Sequence, residues 1–270
     1  MSAVSGVLPM ARNPELLDRR TGAIVFLAFA AAYFCSALVR AINATLSPVL
    51  TQDFSLHARD LGLLAGGYFL GFAAVQLPMG KWLDSYGPKR VSVCFLAVAV
   101  LGCLAFSVAT SFTGLLVARI LVGVGVSACL MAPMTGYRRW FDAPSQLRAN
   151  SWMLMTGSLG MLASTLPVQW LLPLMGWRPL FWILAALILL AMAAIAWLAP
   201  TWQLPEKPAD AQPASTYAEV WRSRYFRKLL PLAVFNYGGM VAIQTLWATP
   251  WMIRVAGYTP LEAATGLFYL

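Results

Sequence analysis

Charge is what this sequence has least of. Only 11% of its 270 residues are Asp, Glu, Lys or Arg, and 60% are hydrophobic, against about 25% and 45–50% in a soluble domain. That excludes water as the main solvent. Histidine is almost missing, with His57 the single example, and the four cysteines, Cys35, Cys94, Cys103 and Cys129, contain no C-x-x-C pair. These scarcities leave neither a zinc site nor a disulfide framework, and no cofactor is expected. The thiols read as small apolar packing residues.

Carboxylates are missing from the apolar stretches as well. All ten, from Glu15 through Asp84 to Glu262, fall in loops or at predicted helix ends. What remains is a series of charge-poor runs, each about long enough to cross a hydrocarbon core of ~30 Å. They predict seven spans near residues 22–44, 60–80, 91–109, 112–136, 150–173, 178–199 and 229–253. The third and fourth are separated at Thr110-Ser111, with Gly114 just beyond. All are expected to be helices, since only helices and closed barrels satisfy their backbone in lipid. The first run is longer than a signal-peptide core and no A-x-A-like cleavage site follows it, so it reads as a span.

A net charge of +9 raises the question of a nucleic-acid partner, and the placement of the basic residues answers it. Alternate loops, which must share one side, hold Arg12, Arg19, Arg20, Lys81, Lys89, Arg90, Arg138, Arg139, Arg148, Lys207, Arg222, Arg224, Arg227 and Lys228. The opposite side has only Arg59, Arg178 and Arg254. By the positive-inside rule the N-terminus is cytoplasmic, and the basic excess is an orientation signal, with no nucleic acid implied. The expected partners are the lipid bilayer and a small-molecule solute.

Four segments follow: a cytoplasmic N-terminal stretch (1–21), a six-span bundle (22–200), a Pro-, Ala- and Gln-rich cytoplasmic linker (201–228), and a last segment (229–270). Within the linker, Tyr217 to Lys228 could form an amphipathic surface helix with Trp221, Tyr225 and Phe226 facing lipid, or a solvated loop. The last segment restarts the first: Pro48 precedes Tyr68 much as Pro250 precedes Tyr269, through similar Gly-Leu elements. Thr259-Pro260-Leu261-Glu262 predicts the capped start of an eighth helix. From Pro260 to Leu270 it could rise only about 16 Å, roughly half the hydrocarbon thickness, and a truncated chain is expected.

The segment Gly80-Lys81-Trp82-Leu83-Asp84-Ser85-Tyr86-Gly87-Pro88-Lys89-Arg90 resembles the signature loop of the major facilitator superfamily. Gly80, Asp84, Gly87, Lys89 and Arg90 match that pattern, and Ser85 stands where it usually has Arg or Lys. Arg119-x-x-x-Gly123-x-Gly125 and Gly176-Trp177-Arg178-x-x-Phe181 match further family patterns in the expected order. The resemblance implies an all-α polytopic membrane protein: the six-helix N-terminal bundle of a 12-helix transporter, plus helix 7 and the start of helix 8. It implies a secondary active transporter in the inner membrane, working by alternating access, with proton coupling as the family default. It also implies that the loop Gly80, Asp84, Gly87, Lys89 and Arg90 latches the cytoplasmic side. From the residues alone, Asp84 could cap a helix end or pair with Lys89 or Arg90, and the loop could equally be a positive-inside anchor with a structural turn.

Arg40 and Arg119 carry the most chemical weight, because a guanidinium within a bilayer is costly and normally faces a cavity or a partner. No carboxylate shares their spans, which suits an anionic solute. Arg40 could instead snorkel to the outer interface, and Arg119 could serve structural pairing. Tyr33, Gln76, Asn236, Tyr237, Gln244 and Trp247 are polar or amphipathic groups within spans that could line the path or join helices. Gly62-x-x-x-Gly66, Gly67-x-x-x-Gly71 and Gly157-x-x-Gly160 permit close helix contact, and Pro133 and Pro167 can bend their helices. An intramembrane enzyme built on Ser158 finds no base among these residues. The expected function is thus transport of a small organic solute, with a drug or metabolite exporter, or a truncated non-transporting fragment, as the alternatives.

Overall fold

A computed structural model describes residues 16–201, 217–243 and 247–269, all of its regular structure helical. Most of the predicted linker (202–216) lies outside them. Helix α1 (Arg19–Phe54) opens on Asp18, whose carboxylate accepts from the backbone N–H groups of Arg20 and Thr21 at 3.1 and 3.2 Å. It runs ten residues past the predicted end of span one, through Pro48. A proline cannot donate to the carbonyl four residues back, and the Ser47 hydroxyl donates to that Ala44 oxygen instead, at 2.9 Å. The local substitute lets the helix continue.

Some other prolines break the spans at that fourth residue, where the ring clashes with the carbonyl. Pro78 lies four residues after Ala74, the end of α2 (Ala58–Ala74), and α3 (Gln76–Val108) resumes beyond Val75. Pro133 lies four after Cys129, inside the turn that separates α4 (Phe112–Val126) from α5 (Met131–Trp140). Pro167 lies four after Ala163, where α6 (Ala143–Ala163) ends before α7 (Leu166–Met175) at a 41° bend. Thr45 of α1 donates to the Ser164 carbonyl at that bend, at 2.7 Å.

The second span is therefore divided. Its outer part is α2 and its inner part the first turns of α3, up to Gly87, where φ is +76° and a turn interrupts helical geometry. Pro88 then starts span three, lacking only an N–H that a first helical position does not need. Ser111 caps α4, accepting from Gly114 N–H at 3.2 Å, at the break predicted there. Taking α4 with α5 as one, four helices among the described residues are long and apolar enough to cross a membrane, and the bent pair α6–α7 makes a fifth.

The amphipathic segment before span seven is not one helix. α9 (Tyr217–Arg222) stops at Ser223, which caps α10 (Arg224–Ala242), and Trp221 meets Phe226 edge to face at 5.5 Å. α11 (Ala248–Arg254) and α12 (Pro260–Tyr269) complete the described chain. The predicted cap of α12 is present: Thr259 N–H donates to the Glu262 carboxylate at 2.8 Å, and Glu262 N–H to the Thr259 hydroxyl at 3.3 Å.

α4 is wedged between α2 and α3, α3 packs on α8 (Trp177–Leu198), and α1 packs on α6 and α8. Glycines make the closest of these approaches. A Cβ on Gly71 would strike the Ile120 carbonyl, one on Gly123 the Tyr68 carbonyl, and one on Gly125 the Ala99 backbone. Of the two G-x-x-x-G pairs in span two only Gly67 and Gly71 meet a neighbour; Gly62 and Gly66 face open space. Gly157 receives the Tyr33 ring and Gly160 the Phe34 carbonyl. By contrast, α10 is exposed along nearly its whole length. α11 and α12 return to the half of the bundle that holds the C-terminal end of α1, where Ala248 and Leu267 pack on Ala44 of α1, and α12 touches α7.

Candidate functional site

Arg119 is the largest fully buried side chain described, 1% exposed in α4 at the centre of the bundle. Its Nη1 donates to the Val39 carbonyl of α1 at 2.9 Å, and its guanidinium lies 5.2 Å from the centroid of the Tyr68 ring of α2. A desolvated cation over an aromatic face gains about 2 kcal/mol, short of what burying the charge costs without a carboxylate. The arginine Nε and the Tyr68 hydroxyl both lack a hydrogen-bond partner. Arg40, half-buried on α1, also places its charge within electrostatic reach of the Tyr68 hydroxyl. Spans one, two and four thus bring two cations and a phenol into one neighbourhood. The only ion pair among the described residues is His57 with Asp60, at 3.6 Å, and Arg119 has no described carboxylate beside it.

The other predicted path residues are scattered. Tyr33 is buried over Gly157. Gln76 donates to the Ser127 carbonyl at 3.4 Å, tying the break in span two to the break in span four. Asn236 is exposed on α10. Trp247, 56% exposed, lines a cavity of about 780 Å³ with Ser47, Thr51 and Gln52 of α1 and Arg254 of α11. It lies well outward of Arg119. Gln244 and the Tyr237 side chain fall outside the described residues.

In the signature loop, Gly87 is the turn and Asp84 is an exposed helical residue. Lys89 does not reach Asp84: its Nζ donates to the Ala199 carbonyl at 2.8 Å, at the C-terminal end of α8. An ammonium there completes orphan carbonyls and meets the negative end of the helix dipole. Arg90 stays exposed. The pair that reads as equivalent in sequence is divided by the fold, one member tied within the bundle and the other turned outward.

The Gly176-Trp177-Arg178-x-x-Phe181 pattern fastens the opposite end. Gly176 takes φ +76° at the turn into α8. Trp177 Nε1 donates to the Asp53 carboxylate at 2.7 Å, and the Arg178 guanidinium lies 4.2 Å over the Trp177 ring while donating to the Ala109 carbonyl at 2.9 Å. Phe181 stacks on Phe106 with centroids 4.1 Å apart. Spans one, three and six are joined there by five side chains, those of Asp53, Phe106, Trp177, Arg178 and Phe181.

Among the polar residues that escaped the sequence reading are Tyr68, Asn43 on α1, and Thr249 on α11. Each is buried with a polar atom that has no partner. Asn43 had a signal, because Ser36, Arg40, Asn43 and Ser47 follow helical spacing on one face of α1. Thr249 had none.

The family model of the Major Facilitator Superfamily matches residues 29–270. The chain belongs to that superfamily. It is a multi-pass membrane protein. It is 24% identical to a probable sulfoacetate transporter from Cupriavidus necator, over 84% of this chain and 56% of the relative. It is 29% identical to a 4-hydroxybenzoate transporter from Pseudomonas aeruginosa over 68% of this chain and 40% of the relative. It is 27% identical to a hexuronate transporter from Escherichia coli over 56% of this chain and 35% of the relative. The chain spans about half the length of the first of these relatives. Among solved structures, a bacterial homologue of the human lysosomal transporter Spinster, inward-facing and unoccupied, superposes with a TM-score of 0.69. It is 18% identical, over 92% of this chain and 59% of that one, and the likeness concerns the fold alone.

Proposed function

We propose that this chain supplies the first bundle and the start of the second in a secondary transporter for small organic anions. The single observation carrying the reading is Arg119: a guanidinium 1% exposed at the centre of a membrane bundle, beside Arg40, with no described carboxylate to neutralise it. Such a pair of charges is stabilised by an anion that enters between the bundles. The relatives named for sulfoacetate, hexuronate and 4-hydroxybenzoate are consistent with a solute of that class.

In this reading, residues 22–200 are one bundle and 201–228 a cytoplasmic linker, in a bacterial inner membrane with the N-terminus inside. Alternating access moves the solute, driven by protons. Asp84, Gly87 and Arg90 serve the cytoplasmic latch. The packing of α11 and α12 on the outer half of α1 and α7, with α10 exposed, supports a state closed outside.

The test is uptake of labelled sulfoacetate, galacturonate and 4-hydroxybenzoate by proteoliposomes holding the protein, with and without an imposed pH gradient. Arg119→Lys and Arg40→Lys should each cut uptake of the accepted anion more than tenfold, because lysine keeps the charge and loses the planar donor fork. Full transport of every anion by both variants would sink the anion reading. Uptake indifferent to the pH gradient would remove proton coupling alone.

A further inference from the structure

The cavity of about 780 Å³ lies where the last turns of α1 and the first turns of α2 meet α11. Sites for small organic molecules run to about 300–1,000 Å³, so it has room for one. Trp247, Trp251 and Arg254 line it at i, i+4 and i+7, the spacing that sets residues along one face of a helix. Thr51 and Gln52 of α1 and Gly62 of α2 line it from the other two helices. The two indoles are 56% and 58% exposed, and Arg254 is exposed as well. No carboxylate pairs with that arginine among the described residues. Two aromatic faces and a free cation therefore border one accessible space.

These residues divide the chemistry of a ligand between them. The rest of the lining is mostly carbon, with Pro48, Leu61 and Ile253 among it, and a strongly hydrated solute would shed water there without replacement. A flat aromatic ring gains from indole faces beyond the area it buries. A free guanidinium takes a carboxylate through paired donors. Arg254 stands three residues beyond Trp251, about 4.5 Å of rise along the helix, so one short molecule can set its ring on the indole and its acid group on the arginine. Tryptophan at the end of a span commonly anchors a helix at the interface. An anchor needs neither a shared cavity nor an unpaired cation, and both are present here.

We propose that this cavity is a binding site for aromatic carboxylates, with Trp247 and Trp251 holding the ring and Arg254 the acid group. Arg119 is not among its lining residues. The site therefore goes beyond the anion reading above, and an aromatic acid binds here whether or not Arg119 takes the transported solute.

The test measures equilibrium binding of labelled benzoate, cyclohexanecarboxylate and benzamide to the purified protein in detergent, which separates the ring from the charge. Benzoate should bind about three- to tenfold tighter than the saturated acid, the gain that stacking adds. It should bind about tenfold tighter than benzamide, or more, through the charged hydrogen bonds. Trp251→Leu should erase the first preference and Trp251→Phe keep it, while Arg254→Gln should erase the second. A Cβ on Gly62 meets nothing within 4 Å, so Gly62→Leu should fill the cavity, weakening benzoate binding about tenfold with the thermal midpoint unchanged. Equal binding of the two acids by the wild type would mean an apolar cavity open to any chain, lipid included, and overturns the site. No binding of benzoate, preferences that survive Trp251→Leu and Arg254→Gln, or a midpoint that falls in Gly62→Leu also overturns it. Benzoate binding lost in Arg119→Lys but intact in the cavity variants assigns the acid to Arg119, which sinks this site and leaves the anion reading standing.

Discussion

The six-span part and the segment that follows it are built from similar residues and held in different ways. Within α1–α8, helices approach so closely that a Cβ would strike the backbone of the next helix, as at Gly71, Gly123 and Gly125. In α10, Gly238 and Gly239 have nothing within 4 Å of where a Cβ would stand, and α11 and α12 rest on α1 through two alanines and a leucine. In lipid, where hydrophobic burial gives helices little reason to associate, close packing and polar fastening carry the work. The bundle has both, whereas the seam with span seven has only a light apolar contact of two alanines and a leucine.

Substituting glycines on the two sides would break that comparison most sharply. Gly123→Val drives a side chain into the Tyr68 backbone and should cost about 3 kcal/mol or more, seen as loss of the folded species in thermal unfolding in detergent. Gly239→Ala in α10 should leave stability unchanged or raise it by up to about 1 kcal/mol, the difference in helix propensity. Equal losses at both sites would mean that α10 is as tightly packed as α4.

The polar fastenings come next. Trp177→Phe keeps the ring contacts with Phe54 and Phe106 and removes the donor to Asp53, at an expected cost of about 1.5–3 kcal/mol for a bond to a charged group. Lys89→Met frees the Ala199 carbonyl and should cost about 0.5–1 kcal/mol, whereas Arg90→Met should leave unfolding unchanged. The two variants together decide whether the fold has divided the basic pair, and equal effects on stability would show that it has not.

The smallest effect is at the start of α1. Hydrogen bonds from Thr21, side chain and backbone, and from the Arg20 N–H hold the exposed Asp18 carboxyl below its ordinary value of 3.8. A depressed carboxyl pKa contributes stability that is present above the unfolded value and lost as pH falls through the folded one. Hydrogen exchange at the Arg20 and Thr21 amides should therefore quicken, relative to Leu38 in mid-helix, only below about pH 3.8, and Asp18→Ala should abolish the dependence.

Much of this was written along the chain. Apolar run length gave five of the seven predicted spans as helices long and apolar enough to cross a membrane, and Thr259 with Glu262 announced the cap of α12. Pro133 and Pro167 marked two of the breaks, since the clash with the fourth carbonyl back is local geometry, whereas α1, α7 and α10 run through Pro48, Pro173 and Pro231. Arg119 stood out because a lone cation in an apolar run is costly wherever it lies. Tyr68 and Thr249 were silent, since one tyrosine or threonine among many means little until its neighbours are known. For the same reason Gly62-x-x-x-Gly66 and Gly67-x-x-x-Gly71 read alike and proved different: the motif states that a helix can be approached, and not that another helix lies opposite.

The sequence by itself determined that this is a membrane protein, where its helices begin and bend, and which rare residues carry charge into the bilayer, because hydropathy and backbone geometry act between residues close in the chain. Only the tertiary structure decided that Lys89 ties off α8 while Arg90 does not, that Arg119 leans on Val39 and Tyr68, and that Trp247, Trp251 and Arg254 share one cavity with α1 and α2, because partners across a bundle are set by which helices meet and how they are turned.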